Sequence, residues 1–170
     1  MTMLKCLGIF MSITLLAACG GGGGGADTPS VTPTTAVLKI ALTGILPGGV
    51  AIAGAGCTVT LPTGVTPALF NGDVAAAVVT ASGTFLGGTQ VAPVYTAASG
   101  MTAGSIALTV ANSAPAGVTQ VGEVATVTLQ LADTVTPSVG SFQVGNVRVI
   151  DTLGNPVSGF SAQVTHVTLQ

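Results

Sequence analysis

The fold is decided by the nine residues EVATVTLQL (123–131), in which apolar and polar side chains alternate from Ala125 onward. A period of two places successive side chains on opposite faces of a β-strand. The even-numbered residues include two threonines, whereas the odd-numbered residues after Glu123 are apolar. We therefore predict a strand whose core-facing set is Ala125, Val127, Leu129 and Leu131, with the opposite set of Val124, Thr126 and Thr128 as the alternative.

The same alternation recurs on both sides of this stretch. Further strands are predicted over residues 37–42, 50–53 with 57–61, 74–81, 89–97, 105–111, 142–150 and 160–169. Gly54 and Gly56 indicate a bulge or the close approach of another segment, and three alanines in 74–81 leave a short helix open. Eight or nine short strands separated by Gly/Pro turns predict an all-β, antiparallel β-sandwich or jelly roll.

The N-terminal residues follow a different pattern. Lys5 precedes an apolar run of about 13 residues, which is too short to span a bilayer but has the length of a signal-peptide core. Six glycines and a Pro/Thr segment follow Cys19. We predict three parts: a signal peptide (1–18), a lipidated cysteine with a flexible tether (19–36), and the β-sandwich (37–170).

The segment Leu16-Ala17-Ala18-Cys19-Gly20 resembles the bacterial lipoprotein signal at every position. The resemblance implies a diacylglycerol group on the Cys19 thiol and usually an N-acyl chain, and such multiple chains give stable membrane anchoring. Gly20 in place of aspartate resembles lipoproteins sent to the outer membrane, on its periplasmic or surface face. The alternative is an ordinary signal peptide cleaved after Ala18, with Cys19 incidental.

The scarcity of charge excludes some functions. Charged residues make up 5% of the chain, and Lys39 and Arg148 are the only basic residues after residue 18. Neutralising several phosphates needs several cations, so nucleic-acid binding is excluded. With Cys19 lipidated, Cys57 has no intramolecular disulfide partner. We predict that it is a small buried hydrophobe, with an intermolecular disulfide or a reactive thiol as the alternatives.

The residues that could carry chemistry are few. His166 is the single histidine and no Gly-x-Ser-x-Gly motif is present, so a serine hydrolase is not expected. One histidine and one cysteine do not make a zinc site. The carboxylates that a glycosidase would need stand at predicted strand ends or turns, where they serve turns: Asp73, Glu123, Asp133 and Asp151. We predict no catalytic residue, cofactor or metal.

The segment Asp151-Thr152-Leu153-Gly154-Asn155 offers oxygen ligands that calcium could use in a turn. The segment lacks the acidic density of an EF-hand loop. We therefore interpret it as a structural turn.

Three segments together resemble a cohesin-like domain, within the carbohydrate-binding-module type of β-sandwich: residues 52–67, 122–129 and 147–157. The resemblance implies a non-catalytic fold. Cohesins dock calcium-loaded dockerin modules through a sheet face, and related sandwiches bind polysaccharide on aromatic platforms. No dockerin-contact residue can be matched here, and the chain has no Trp and one Tyr, Tyr95.

We therefore predict a non-catalytic binding module, anchored by lipid at the bacterial cell envelope, that docks a dockerin-like or other protein partner or a polysaccharide. One alternative is a structural subunit that assembles with itself through strand edges. Another is a glycan-binding or small-ligand-binding lipoprotein with a pocket at one end of the sandwich.

Overall fold

The structure is a computed structural model that describes residues 32–170, which belong to one compact unit. The predicted signal peptide, Cys19 and the tether up to residue 31 lie outside the described residues. The first strand begins at Thr35, two residues before the predicted start of the domain.

Seven strands of eight to ten residues and four of two or three residues make up the fold. They are β1 (Thr35–Gly44), β2 (Ile52–Leu61), β3 (Val65–Pro67), β4 (Leu69–Phe70), β5 (Asp73–Val74), β6 (Val79–Ala81), β7 (Thr89–Thr96), β8 (Gly104–Ala111), β9 (Glu123–Leu131), β10 (Gln143–Asp151) and β11 (Phe160–Leu169). Two 3₁₀ turns, Gly83–Phe85 and Val139–Ser141, are the only helical elements in residues 32–170.

The strands form two sheets and a small ribbon. The five-stranded sheet has the order β11-β1-β9-β3, with β6 pairing the same edge of β9 further along. The four-stranded sheet has the order β10-β2-β8-β7, and β4 pairs with β5 alone. Every pairing is antiparallel. The predicted antiparallel β-sandwich is confirmed.

The core lies between the two sheets, and β9 contributes the predicted side chains to it. Ala125, Val127 and Leu129 are buried, and Leu131 packs half-buried against them. Val124 is buried as well, which the alternation did not predict. The reason is a shift in register: Ile40 pairs with Ala125 and Ala41 with Glu123, so Val124 is skipped and turns inward.

The prediction for residues 74–81 was wrong. They form neither one strand nor a helix, because a turn from Ala75 to Val78 separates β5 from β6. The bulge expected near Gly54 and Gly56 lies in the pairing of β2 with β10, where the register shifts at Ala53 and opposite Cys57. The pairing of β2 with β8 is unbroken.

Candidate functional site

The candidate catalytic residues do not converge. His166 is exposed on β11, Asp73 lies in the β4–β5 ribbon, Glu123 begins β9 and Asp151 ends β10. Asp133 is exposed in the loop after β9. Within residues 32–170, no three His, Cys, Asp or Glu side chains lie close enough together to hold a metal ion.

The Asp151 turn satisfies its own carboxylate. One oxygen, Oδ1, accepts hydrogen bonds from the backbone N–H of Asn155 at 2.8 Å and of Leu153 at 2.9 Å, and Oδ2 accepts one from Asn155 Nδ2 at 3.2 Å. The bonds from Asn155, followed by those from neighbouring backbone groups, hold the pKa of Asp151 below its usual value. These contacts support the interpretation as a structural turn.

Cys57 is buried on the core-facing side of β2, as predicted. Burial raises the pKa of its thiol to about 12, because the charged thiolate would lose its hydration. A thiol that stays protonated is a poor nucleophile. Within the folded domain, Cys57 therefore acts as packing.

A trough of about 320 Å³ lies on the outer face of the four-stranded sheet. Its floor is Gly54 and Gly56 of β2, and its walls come from β8 and β10. The outward-facing side chains of its lining are Thr58 of β2 and, in the walls, Ala107, Thr109, Asn146, Arg148 and Ile150.

The trough exists because its floor has no side chains. A Cβ atom on Gly54 would lie 3.2 Å from Ile150 Cδ1, and one on Gly56 would lie 2.9 Å from Thr109 Oγ1. The side chains of Ile150 and Thr109 therefore lie directly over the two glycines, in space that a larger residue of β2 would need. The predicted close approach is confirmed, and the neighbours come from β8 and β10.

A bulge in β10 sets the wall opposite β8. Gly145 pairs with Thr58 and Arg148 with Gly56, so two residues of β10 stand opposite the single residue Cys57. One of them, Asn146, has a left-handed backbone with φ of 51°, a conformation that asparagine tolerates better than most residues. Its Nδ2 lies 3.4 Å from Thr58 Oγ1, to which it donates a hydrogen bond. The bulge thus places Asn146 at the edge of the trough and Arg148 beside Gly56.

Arg148 supplies the one charge of the trough lining. Residues 32–170 contain a single salt bridge, between Lys39 Nζ and Glu123 Oε2 at 3.0 Å, and it lies on the other sheet. Arg148 is exposed and pairs with no acidic side chain in this part of the chain. Its guanidinium is free to meet a carboxylate from another molecule.

The outer face of the five-stranded sheet is different in chemistry. Lys39 of β1 stands between Thr126 of β9 and His166 of β11, and Thr126 in turn faces Thr80 of β6. Partial burial alone would raise the pKa of Glu123, but hydrogen bonds from Ser82 and Lys39, with the charge of Lys39, outweigh it and lower the pKa.

Sequence reasoning found the floor of the trough but missed its walls. The sequence predicts a special backbone at Gly54 and Gly56, whereas it predicts only a strand at Asn146 and Arg148. The dipeptide Gly145-Asn146 inside an alternating run was the available signal, because both residues favour positive φ.

Comparisons with known proteins give little to set beside this geometry. No family model matches the chain, and no curated protein matches it in sequence. A solved structure similar to it is that of a non-cellulosomal cohesin from the hyperthermophilic archaeon Archaeoglobus fulgidus, with a TM-score of 0.47, 11% sequence identity and 75% of each chain covered. In the described part of the chain, no helix combines the length and apolarity needed to cross a bilayer.

Proposed function

We propose that this chain is a non-catalytic docking module, in which the four-stranded sheet presents the trough to a protein partner at the cell envelope. The observation that carries the proposal is the trough itself, a cavity of about 320 Å³ with a backbone floor and one exposed arginine. Sites built on strands are held more precisely than sites on loops.

The chemistry of the lining favours a protein over a polysaccharide. The trough is lined by glycine, alanine, threonine, leucine, isoleucine, cysteine, asparagine and arginine, and no aromatic ring is among them. Sugar rings stack on aromatic faces, so a glycan would find little to hold it there. An apolar side chain that enters the trough, with a carboxylate beside it for Arg148, fits the lining better.

The proposal includes a lipid anchor on Cys19, with export and attachment to the outer membrane. Its support is the resemblance of residues 16–20 to the lipoprotein signal. From Cys19 to the first strand at Thr35 there are 15 intervening residues, rich in glycine, proline and threonine. A tether of this length extends to at most about 50 Å, which is enough to lift the domain clear of lipid headgroups.

The docking proposal is tested by cross-linking and pull-down of the full chain from its own envelope, with partners identified by mass spectrometry. Ala107→Tyr places a ring over the trough at an exposed strand position. Its matched control, Gln130→Tyr, adds the same ring at an exposed position on the other sheet. We expect one recurrent protein with the wild type and the control, reduced at least tenfold with Ala107→Tyr. Equal recovery from both variants, or recovery of polysaccharide alone, would contradict the proposal.

The anchor is tested by metabolic labelling with radioactive palmitate. We expect the label on the wild-type chain and its loss in Cys19→Ala. An unlabelled wild type would remove the anchor from the proposal and leave the docking module standing.

A further inference from the structure

We propose that the trough of one molecule receives the β4–β5 hairpin of a second copy of the same chain, with Phe70 in the trough and Asp73 paired with Arg148. This inference rests on the proposed function of the trough as a docking site, and it names the partner.

The hairpin is a short, well-defined projection. Asn71 and Gly72 form its turn with φ values of 54° and 89°, as type I′ hairpin turns require. Leu69 pairs with Val74, and Phe70 pairs with Asp73. Directly paired residues of antiparallel strands point to the same face. Val74 packs against the core, so Phe70 and Asp73 project together from the opposite face.

Phe70 is exposed in a way that the other described phenylalanines are not. Its exposed fraction is 71%, whereas Phe85 and Phe142 are buried and Phe160 packs half-buried on the core. Leu69 beside it is 50% exposed. An exposed aromatic on a rigid hairpin is the type of side chain that anchors protein interfaces.

The hairpin and the trough are complementary in shape and in charge. The concavity of about 320 Å³ offers a phenyl ring apolar surface from Ala107 and Ile150, beside Arg148. Asp73 is exposed and makes no salt bridge within residues 32–170, as is true of Arg148. Glu123 is engaged by Lys39 and Asp151 by its own turn, whereas Asp133 is exposed in the loop after β9 and stands beside no exposed aromatic ring of the described residues.

The contact must join different molecules. The hairpin connects β3 and β6 at the edge of the five-stranded sheet, and none of its residues lines the trough of its own chain. The surfaces that meet are different, so the association is head-to-tail and can continue from copy to copy. A contact of one hairpin in one trough is small, and we expect a Kd between about 10 µM and 1 mM. Copies concentrated on a membrane would associate more fully.

The test measures self-association of the full chain, purified in detergent at one copy per micelle, by sedimentation equilibrium over rising concentration. We expect a concentration-dependent increase in mass with the wild type. Phe70→Ser, Asp73→Arg and Arg148→Asp should each raise the Kd at least tenfold. The matched control Asp133→Arg, which makes the same charge change at another exposed acid, should leave it unchanged.

A mixture of two variants guards against misfolding as the cause. Asp73→Arg and Arg148→Asp restore opposite charges when they meet, so an equimolar mixture should associate as tightly as the wild type although neither variant associates alone. Disulfide trapping in the envelope provides a second readout. The double variant Asp73→Cys, Arg148→Cys should form linked multimers, and Asp133→Cys, Arg148→Cys should not.

A wild type that stays monomeric to 1 mM, or a mixture that does not recover association, would overturn the inference. The proposed function is separable from it. Capture of a foreign protein that Ala107→Tyr abolishes, without self-association, would leave the docking module and remove the second copy as its partner. If neither a captured foreign protein nor self-association is found, the proposed function and the inference about the second copy are both overturned.

Discussion

The two outer faces of this sandwich are built from the same kind of strand and differ in what their side chains leave open. On the five-stranded sheet, Lys39 is paired with Glu123 and stands between Thr126 and His166 of the neighbouring strands. On the four-stranded sheet, Gly54 and Gly56 open a trough and Arg148 stands unpaired beside it. The first face pairs its charges within the chain, and the second is the face that we propose docks a partner.

The largest expected effect on the free energy of unfolding distinguishes Gly83, which the backbone requires, from Gly54, which lines the trough. Gly83 has φ of 56°, and a Cβ there would overlap the carbonyl oxygen of Glu123 at the start of β9. Gly83→Ala should cost about 3 kcal/mol of unfolding free energy, from strain and overpacking together. Gly54→Ala should cost about 1 kcal/mol or less, since the Ile150 side chain can move aside.

Urea unfolding of both glycine variants, followed by circular dichroism, measures the difference. Equal losses of unfolding free energy would show that the trough floor is required for folding rather than kept open for a partner. We expect Gly54→Ala to weaken docking while the protein remains folded.

The next effect concerns the β10 bulge at Asn146, compared with the β11 bulge at Thr165 on the other sheet. Asn146→Val places a β-branched residue at positive φ, which should cost about 2 kcal/mol and displace Arg148 from the floor. Asn146→Gly should stay within a few tenths of a kcal/mol of the wild type. The control is Thr165→Val, at the residue that β11 inserts between the partners of Lys39 and Ile40. If Asn146→Val kept full docking affinity, the bulge would not be what positions Arg148.

The ion pair between Lys39 and Glu123 on the five-stranded sheet should contribute less to the free energy of unfolding. Lys39 and Glu123 are partly exposed, with side-chain exposures of 48% and 24%. Lys39→Ala should lower the unfolding free energy by about 0.2–1 kcal/mol, less at high salt, and leave docking unchanged. Thermal melting at low and high ionic strength checks this expectation. A loss of docking in Lys39→Ala would mean that the two faces are coupled.

Lowering the pH should have the smallest effect on the free energy of unfolding. The folded-state pKa of Asp151 lies below its ordinary value of 3.8 and that of Glu123 below 4.5. Each carboxylate therefore stabilises the fold fully above its ordinary pKa, and this contribution is lost as pH falls through the lower folded value. Unfolding free energy should fall from about pH 4 downward, with a shallower slope in Asp151→Asn and Glu123→Gln. Unaltered slopes in both variants would contradict these pKa directions.

The sequence predicts the sandwich well, because alternation is local and β9 carries it over nine residues. It failed at Val124, where a shift against β1 overrides the alternation. It identified Gly54 and Gly56 by composition, but Arg148 reaches Gly56 only through a pairing across 92 positions of the chain. Nothing in a single sequence fixes such a register. Cys19 and its lipid stay predictions, since they lie outside the described residues.

The position of β1 has a consequence for mechanical load. It is the first strand after the predicted tether, and it lies inside its sheet, between β11 and β9. A pull on the tether along β1 would load the hydrogen bonds to both neighbours in shear, all at once. A pull that separates the two chain ends instead starts at the bonds from Thr34 and Thr35 to Gln170, and it would open the β1–β11 ladder one rung after another. The domain is therefore expected to resist force better between its tether and a docked partner than between its two ends.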